Sequence, residues 1–492
     1  MLLRTNSNKI ELLLNSEFPS YDRNTAIESA YFNCSVLAPA CPDGDRKPVD
    51  IVVVLDRSGS MSGSKLDLCK KTIHFLMGEL SALDRLGLVT YDTRVKTEFP
   101  LIKMDEQGKG KIEHILKKIH AGSATNLSGG LMTGIQEVQK PSRKDGSLPN
   151  PVRSVLILTD GLANAGVIET PAIVNMLKGS LEPDVSVFTF GYGSDHNADM
   201  LREISEVGSG VYYFVQSVDG VSLAFADCLG GLLSVVAQNI KLECFGKNGC
   251  KIRSIKTRKT TNAIVPEKHY EIEMGDLYGE EERDLLIEVS MPPLSCESKE
   301  FEVLECRLHY ANVLDSSLDK LEVRGTVQRL NEVPADQEPD SHISQQRNRI
   351  IAAEALEKAG AEAEKGRLEE GKKLLQDALN QMEAVSISLK SEKAKLATSA
   401  LMDDLMECKG TMRSPEEYNI RGKMRMKAKV QSHWYQRSND VELDEDEIEE
   451  EVASASVPSS GLGNRSDARG YRSSKKSAML NKAFAYSKKS NP

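Results

Sequence analysis

The chain has 492 residues, 40% of them apolar and 28% charged, with a formal net charge of −10. Such a length exceeds what one hydrophobic core organises, so several domains are expected. The acidic balance excludes nucleic-acid binding through overall charge, and no apolar run is long enough for a membrane-crossing helix.

The first residues, Met1-Leu-Leu-Arg-Thr-Asn-Ser-Asn-Lys9, lack an extended apolar core, so no secretory signal is expected and residues 1–28 read as a flexible segment. The stretch SAYFNCSVLAPA (29–40) reads as a strand, and 29–48 as a segment joining a β-rich unit further along the chain. From Val49 the pattern becomes an alternation. VDIVVVL (49–55), with the apolar run Ile51–Leu55, reads as a strand buried on both faces. KLDLCKKTIHFLMGEL (65–80) carries Leu66, Cys69, Ile73, Leu76, Met77 and Leu80 at helical spacing. RLGLVTY (85–91) and VKTEF (95–99) form a strand pair around Asp92-Thr-Arg, followed by helices near 107–119 and 128–139. Strands at 152–159, 184–190 and 210–215 alternate with helices near 169–178, 198–206 and 219–238. This periodicity predicts an α/β domain over 49–238, a doubly wound, mostly parallel sheet with helices on both faces.

Residues 239–335 change to short strands with turns between them, the pattern of a small antiparallel β-sandwich. Residues 341–410 are rich in Ala, Glu, Lys and Leu and predict helices at 344–359, 368–385 and 391–408 in a helical bundle, with Gly410 as a cap. A basic and aromatic segment follows at 411–438. Residues 439–492, acidic over Asp440–Glu451 and then basic, predict disorder.

Asp56, Ser58 and Ser60 spell D-x-S-x-S directly after the first buried strand. A carboxylate ending a buried strand is costly unless paired or metal-bound. Two more candidates fall at the same sheet edge, where such folds bind ligands: Thr125 in AGSATNLSGGL (121–131) and Asp160 in LILTDGLAN (156–164). Two carboxylates and three hydroxyls are hard oxygen donors suited to Mg²⁺ or Mn²⁺, and the absence of Cys or His among them disfavours zinc.

DRSGSM, then the threonine, then LTDG, in this order and context, resemble the von Willebrand factor A domain. The resemblance implies a metal-ion-dependent adhesion site made by Asp56, Ser58, Ser60, Thr125 and Asp160, whose ion takes an acidic residue from a partner protein. The wider sequence is similar to a cytosolic group that includes plant RING-type ubiquitin ligases, and to the secreted inter-alpha-trypsin inhibitor heavy chains. No Cys/His cross-brace accompanies the domain, so ligase activity is not implied. The expected role is a cytoplasmic protein-binding module, not an enzyme, since nothing assembles a nucleophile with a base. Two rivals are a RING-less ubiquitin-ligase component and a structural scaffold that leaves the metal site empty.

Other motifs read more plainly. Ser62-Gly-Ser-Lys65 has S-x-x-K spacing but no partner motifs, and reads as a loop-to-helix junction. Asp195 and His196 follow a strand end, where Ser194 or Asp195 reads as the cap of the next helix rather than as part of a second metal site. Cys244 and Cys250 bracket a turn, and nine scattered cysteines outside any CxxC pairing point to free thiols in a reducing compartment. The run Arg421–Lys429 with His433, Trp434 and Tyr435 reads as a helix docking its aromatics on the bundle rather than as an RNA contact.

Overall fold

Leu12 and Leu14 turn one side of Glu11–Ser16 (β1) onto a hydrophobic core in the computed structural model of the chain, which describes residues 9–439 apart from 43, 144, 194–195, 216–219 and 387–388, together with 471–490. β1 pairs antiparallel with Ile27–Leu37 (β3), and the short Ser20–Asp22 (β2) adds to the edge of a second sheet. Much of the expected flexible segment 1–28 is therefore sheet. Its strands are held by tertiary pairing, β1 with β3 and β2 with the distant Gln328–Leu330, and local pattern does not report that.

The α/β unit follows as β4 (Val49–Asp56), α1 (Ser64–Glu79), β5 (Arg85–Tyr91), β6 (Val95–Lys103), α2 (Glu106–Leu116) and α3 (Leu127–Val138). It continues with β7 (Val152–Thr159), α4 (Thr170–Ser180), β8 (Val185–Tyr192), α5 (Ala198–Val207), β9 (Ser209–Val215) and α6 (Gly220–Leu232). The strand order is β6-β5-β4-β7-β8-β9, parallel throughout except for β6. Pro100 is accommodated in β6 because that strand is an edge. Alternate residues of β4 supply two cores. Val49, Ile51, Val53 and Leu55 pack with α1, α2 and α6, whereas Val52 and Val54 pack with α3, α4 and α5.

The helix expected over 219–238 stops at Leu232, where Ser234 N–H turns back to Gly231 O at 2.9 Å and β-branched Val235 and Val236 begin a strand. That strand, β10 (Val235–Gly246), opens the sandwich with β11 (Lys251–Lys256), β12 (Thr261–Val265), β13 (His269–Tyr278), β14 (Glu282–Met291), β15 (Ser298–Asn312) and β16 (Ser317–Leu330). One sheet runs β1-β3-β14-β11 and the other β12-β13-β10-β15-β16-β2. The α/β unit is thus inserted between β3 and β10 of a sandwich that is discontinuous in sequence.

Helices α7 (Ser341–Glu364), α8 (Leu368–Ser386) and α9 (Glu392–Gly410) share one core. α7 runs through Gly360 and α9 through Gly410, past both expected ends, because packing outweighs glycine's helix penalty. A short α10 (Pro415–Glu417) and a π-helical turn (Tyr418–Gly422) lead into α11 (Lys423–Tyr435). α11 is no separate basic segment. Met426 and Val430 join the bundle core, while Met424 and Ala428 join the core of the α/β unit.

The acidic stretch 440–451 lies outside the described residues. The expected disorder of 439–492 fails at α12 (Ser474–Ser490), which packs along α6 through Met479, Leu480 and Ala483. Among the described residues no helix is long and apolar enough to cross a membrane.

Candidate metal centre

Strand register begins the assembly. Leu55 pairs with Leu158 and Asp56 with Tyr91, so β4 and β7 end level with one another. Topology places the reversal of strand order between β4 and β7, and the crevice at the carboxyl ends of these strands is where doubly wound sheets take ligands. Asp56 lies in that crevice with no solvent exposure and Asp160 with 1%.

Each donor is fixed by a neighbour. Asp56 Oδ1 accepts the Ser58 N–H at 2.8 Å, and Oδ2 accepts the Thr159 hydroxyl at 2.6 Å. The hydroxyls of Ser58 and Ser60 lie 3.1 Å apart, and Ser60 Oγ donates to Asp160 Oδ1 at 2.8 Å. Thr125 arrives on the loop before α3, held by its N–H to Asn164 Oδ1 at 2.7 Å. A Cβ built on Gly161 would stand 3.5 Å from Ser60 Oγ and 3.6 Å from Thr125 Oγ1, so this glycine borders the space between the two hydroxyls. The loops are cross-tied by Gly59 N–H to Ser123 O at 2.9 Å and Asn164 N–H to Thr125 O at 3.1 Å. All five residues expected from the sequence come together.

The two ends of β4 differ electrostatically. Asp50, at the start, is fully buried against two guanidiniums, Arg85 at 3.1 Å and Arg143 at 2.6 Å. Asp56, at the end, has neutral donors and no basic partner among the described residues. Burial pushes its carboxyl up to about 6, against the hydrogen bonds of Thr159 and Ser58 and with a smaller push from the Asp160 charge. A buried carboxylate lacking a counter-cation, ringed by hydroxyls and a second carboxylate, fits a hard dication.

Three neighbours escaped the sequence reading. Thr159 orients Asp56, Asn164 ties the loops, and Lys65 places its ammonium on Asp160 Oδ2. Lys65 stood in a motif that was noticed for its spacing from Ser62, but contact with Asp160 depends on how α1 leaves the loop.

The remaining candidates are structural. Asn197 caps α5, accepting from Met200 N–H at 3.1 Å, while Ser194 and Asp195 lie outside the described residues. His196 is buried beside Tyr212, with Nε2 2.6 Å from the phenol oxygen. Cys244 faces Cys306 across β10 and β15 with sulfurs 3.7 Å apart, not Cys250, and all nine cysteines are free. Glu282, Asp284 and His342 bring ligand atoms within 4.8 Å of one another. Asp284 Oδ1 there already accepts from Asn33, Ser35 and His342 at 2.7, 2.6 and 2.9 Å, which makes a polar junction between sandwich and bundle.

Comparison with known proteins agrees with this fold. Residues 50–226 match the von Willebrand factor type A domain. The chain is 30% identical over 271 residues to the E3 ubiquitin-protein ligase WAV3 of Arabidopsis thaliana, covering 53% of this chain and 33% of that protein. It is 26% identical over 162 residues to inter-alpha-trypsin inhibitor heavy chain H1 of Bos taurus, covering 33% of this chain and 18% of that one. The chain thus spans a minor part of the length of these relatives. Among solved structures, a von Willebrand factor type A protein from Catenulispora acidiphila superposes with a TM-score of 0.61 at 13% identity, covering 90% of this chain and 99% of that chain. At that identity the likeness is one of fold.

Proposed function

We propose, from the premise that residues 50–226 form a von Willebrand factor type A domain, that the chain is a non-catalytic module that binds partner proteins through a divalent ion. Asp56, Ser58, Ser60, Thr125 and Asp160 would hold Mg²⁺ or Mn²⁺, some of them through water. Once bound, the ion supplies a positive coordination position that a partner's carboxylate completes. The carrying observation is Asp56: buried, without a basic partner among the described residues, and hydrogen-bonded into a ring of oxygen donors. Leu162 and Ile168, on the loop after Asp160, are 57% and 46% exposed and offer apolar contact beside an acidic residue. Nine free cysteines suit a reducing, cytoplasmic setting.

Similarity to WAV3 over 271 residues favours a second reading, in which the module recruits proteins to a ubiquitin-ligase system. Both readings use the same site. The test is capture of proteins on the immobilised chain in Mg²⁺, in chelator, and with Asp56→Ala. Partners retained in Mg²⁺ and lost in the other two conditions support the proposal. An unchanged set of partners in all three contradicts it.

A further inference from the structure

We propose that Lys65 is a built-in cation of the site, competing with the divalent ion for Asp160 and so setting the ion concentration at which the site fills. The inference rests on the metal-site reading above and adds a specificity-determining residue to it. Lys65 is the second residue of α1, and its ammonium sits on Asp160 Oδ2 while Asp160 Oδ1 accepts from Ser60 at 2.8 Å. Both oxygens of this fully buried carboxylate are therefore engaged, one of them by a full positive charge.

The lysine is poorly placed for anything else. A cation in the first turn of a helix opposes the helix dipole, and the Gly63 cap of α1 gives no side-chain bond to offset it. Asp160 is the group that holds it there. The Lys65 side chain is 39% exposed, so part of it already meets water. An ammonium on one oxygen of a carboxylate weakens that group as a ligand for a dication, and the two cations repel one another across a buried site. Filling the site therefore works against the Lys65 charge or displaces it, and either cost lowers apparent affinity for the ion. Asp56, held by neutral donors, imposes no such competition.

The test is calorimetric titration of MgCl₂ and MnCl₂ into the full chain, its Lys65→Met variant, which keeps an apolar stem without the charge, and its Lys65→Arg variant. The expected result is Mg²⁺ affinity raised about tenfold or more in Lys65→Met and not raised in Lys65→Arg. Binding seen in Lys65→Met alone would support the proposal most strongly. Equal affinity in all three chains would overturn it while leaving the metal site standing. No binding in any chain, with acetate added as a carboxylate ligand, would overturn both. Thermal melts in chelator identify a variant that fails to fold, and Lys65→Gln then replaces Lys65→Met.

Discussion

Gln431 accepts a hydrogen bond from the backbone N–H of Tyr212 at 2.7 Å, so a side chain of α11 completes the edge of the α/β sheet. Its amide nitrogen donates to Ser205 Oγ at 3.0 Å, and Asn439 Nδ2 donates to Tyr212 O at 3.2 Å. An open strand edge invites pairing with other chains, and here it is closed from within. Gln431→Ala should cost about 1–3 kcal/mol, the usual loss when a buried N–H is left unpartnered. Urea unfolding checks the cost, and hydrogen exchange at the Tyr212 amide should accelerate. An unchanged midpoint would show that α11 is not part of this edge.

The C-terminal helix should matter as much. Lys476 and Asp227 pair at 2.7 Å with side chains 3% and 1% exposed. A Cβ on Gly230 would stand 2.8 Å from Lys476 Cα, so α6 carries glycine where α12 passes closest. Lys476→Met strands a buried carboxylate and should destabilise by about 3–5 kcal/mol, while adding Asp227→Asn should recover much of the loss. Thermal unfolding of the full chain distinguishes these outcomes. A neutral Lys476→Met would mean the helix does not dock.

A pH dependence is expected at the junction of sandwich and bundle. Burial opposes charge on His342, but the hydrogen bond and charge of Asp284 prevail and hold the ring above its ordinary pKa. Asp284 is held below the ordinary carboxylate range, with burial outweighed by His342, Ser35 and Asn33. A raised histidine contributes stability that is complete below about pH 6.5 and is lost as pH rises through the folded-state value. Asp284 contributes above its unfolded value and loses that contribution only in acid. Melting temperature should therefore fall from about pH 6 to about pH 9 more steeply in the native chain than in His342→Gln. Parallel curves would remove the pair from the account.

Gly161→Ala separates site from fold. Its added methyl would meet Ser60 Oγ and Thr125 Oγ1 at ordinary contact distances, 3.5 and 3.6 Å, so folding should be altered by no more than about 0.5 kcal/mol. The methyl would nevertheless occupy space beside both hydroxyls, and Mn²⁺ binding followed by electron paramagnetic resonance should weaken. Full Mn²⁺ affinity in this variant would place the ion elsewhere.

Much of this was legible because the signals are local. β4 and β7 are buried on both faces and read as largely apolar runs, and their ends and the loops after them carry Asp56, Ser58, Ser60 and Asp160. What stayed hidden depends on tertiary partners. Three successive leucines in β1 have no alternation to announce a strand, and its pairing with β3 supplies the reason. α12 looks like a polar basic tail, because Asp227, the partner of its buried lysine, lies 249 residues away. Lys65 was visible, but its role depends on a partner 95 residues distant.

The central claim is that Asp56 and its neighbours form a divalent-ion site. Its most direct test is calorimetric titration of Mg²⁺ into the full chain beside Asp56→Ala, each first shown to be folded. Saturable binding is expected in the native chain and its loss in the variant. Equal heats in the two chains, or none in the native chain with a carboxylate ligand present, would contradict it.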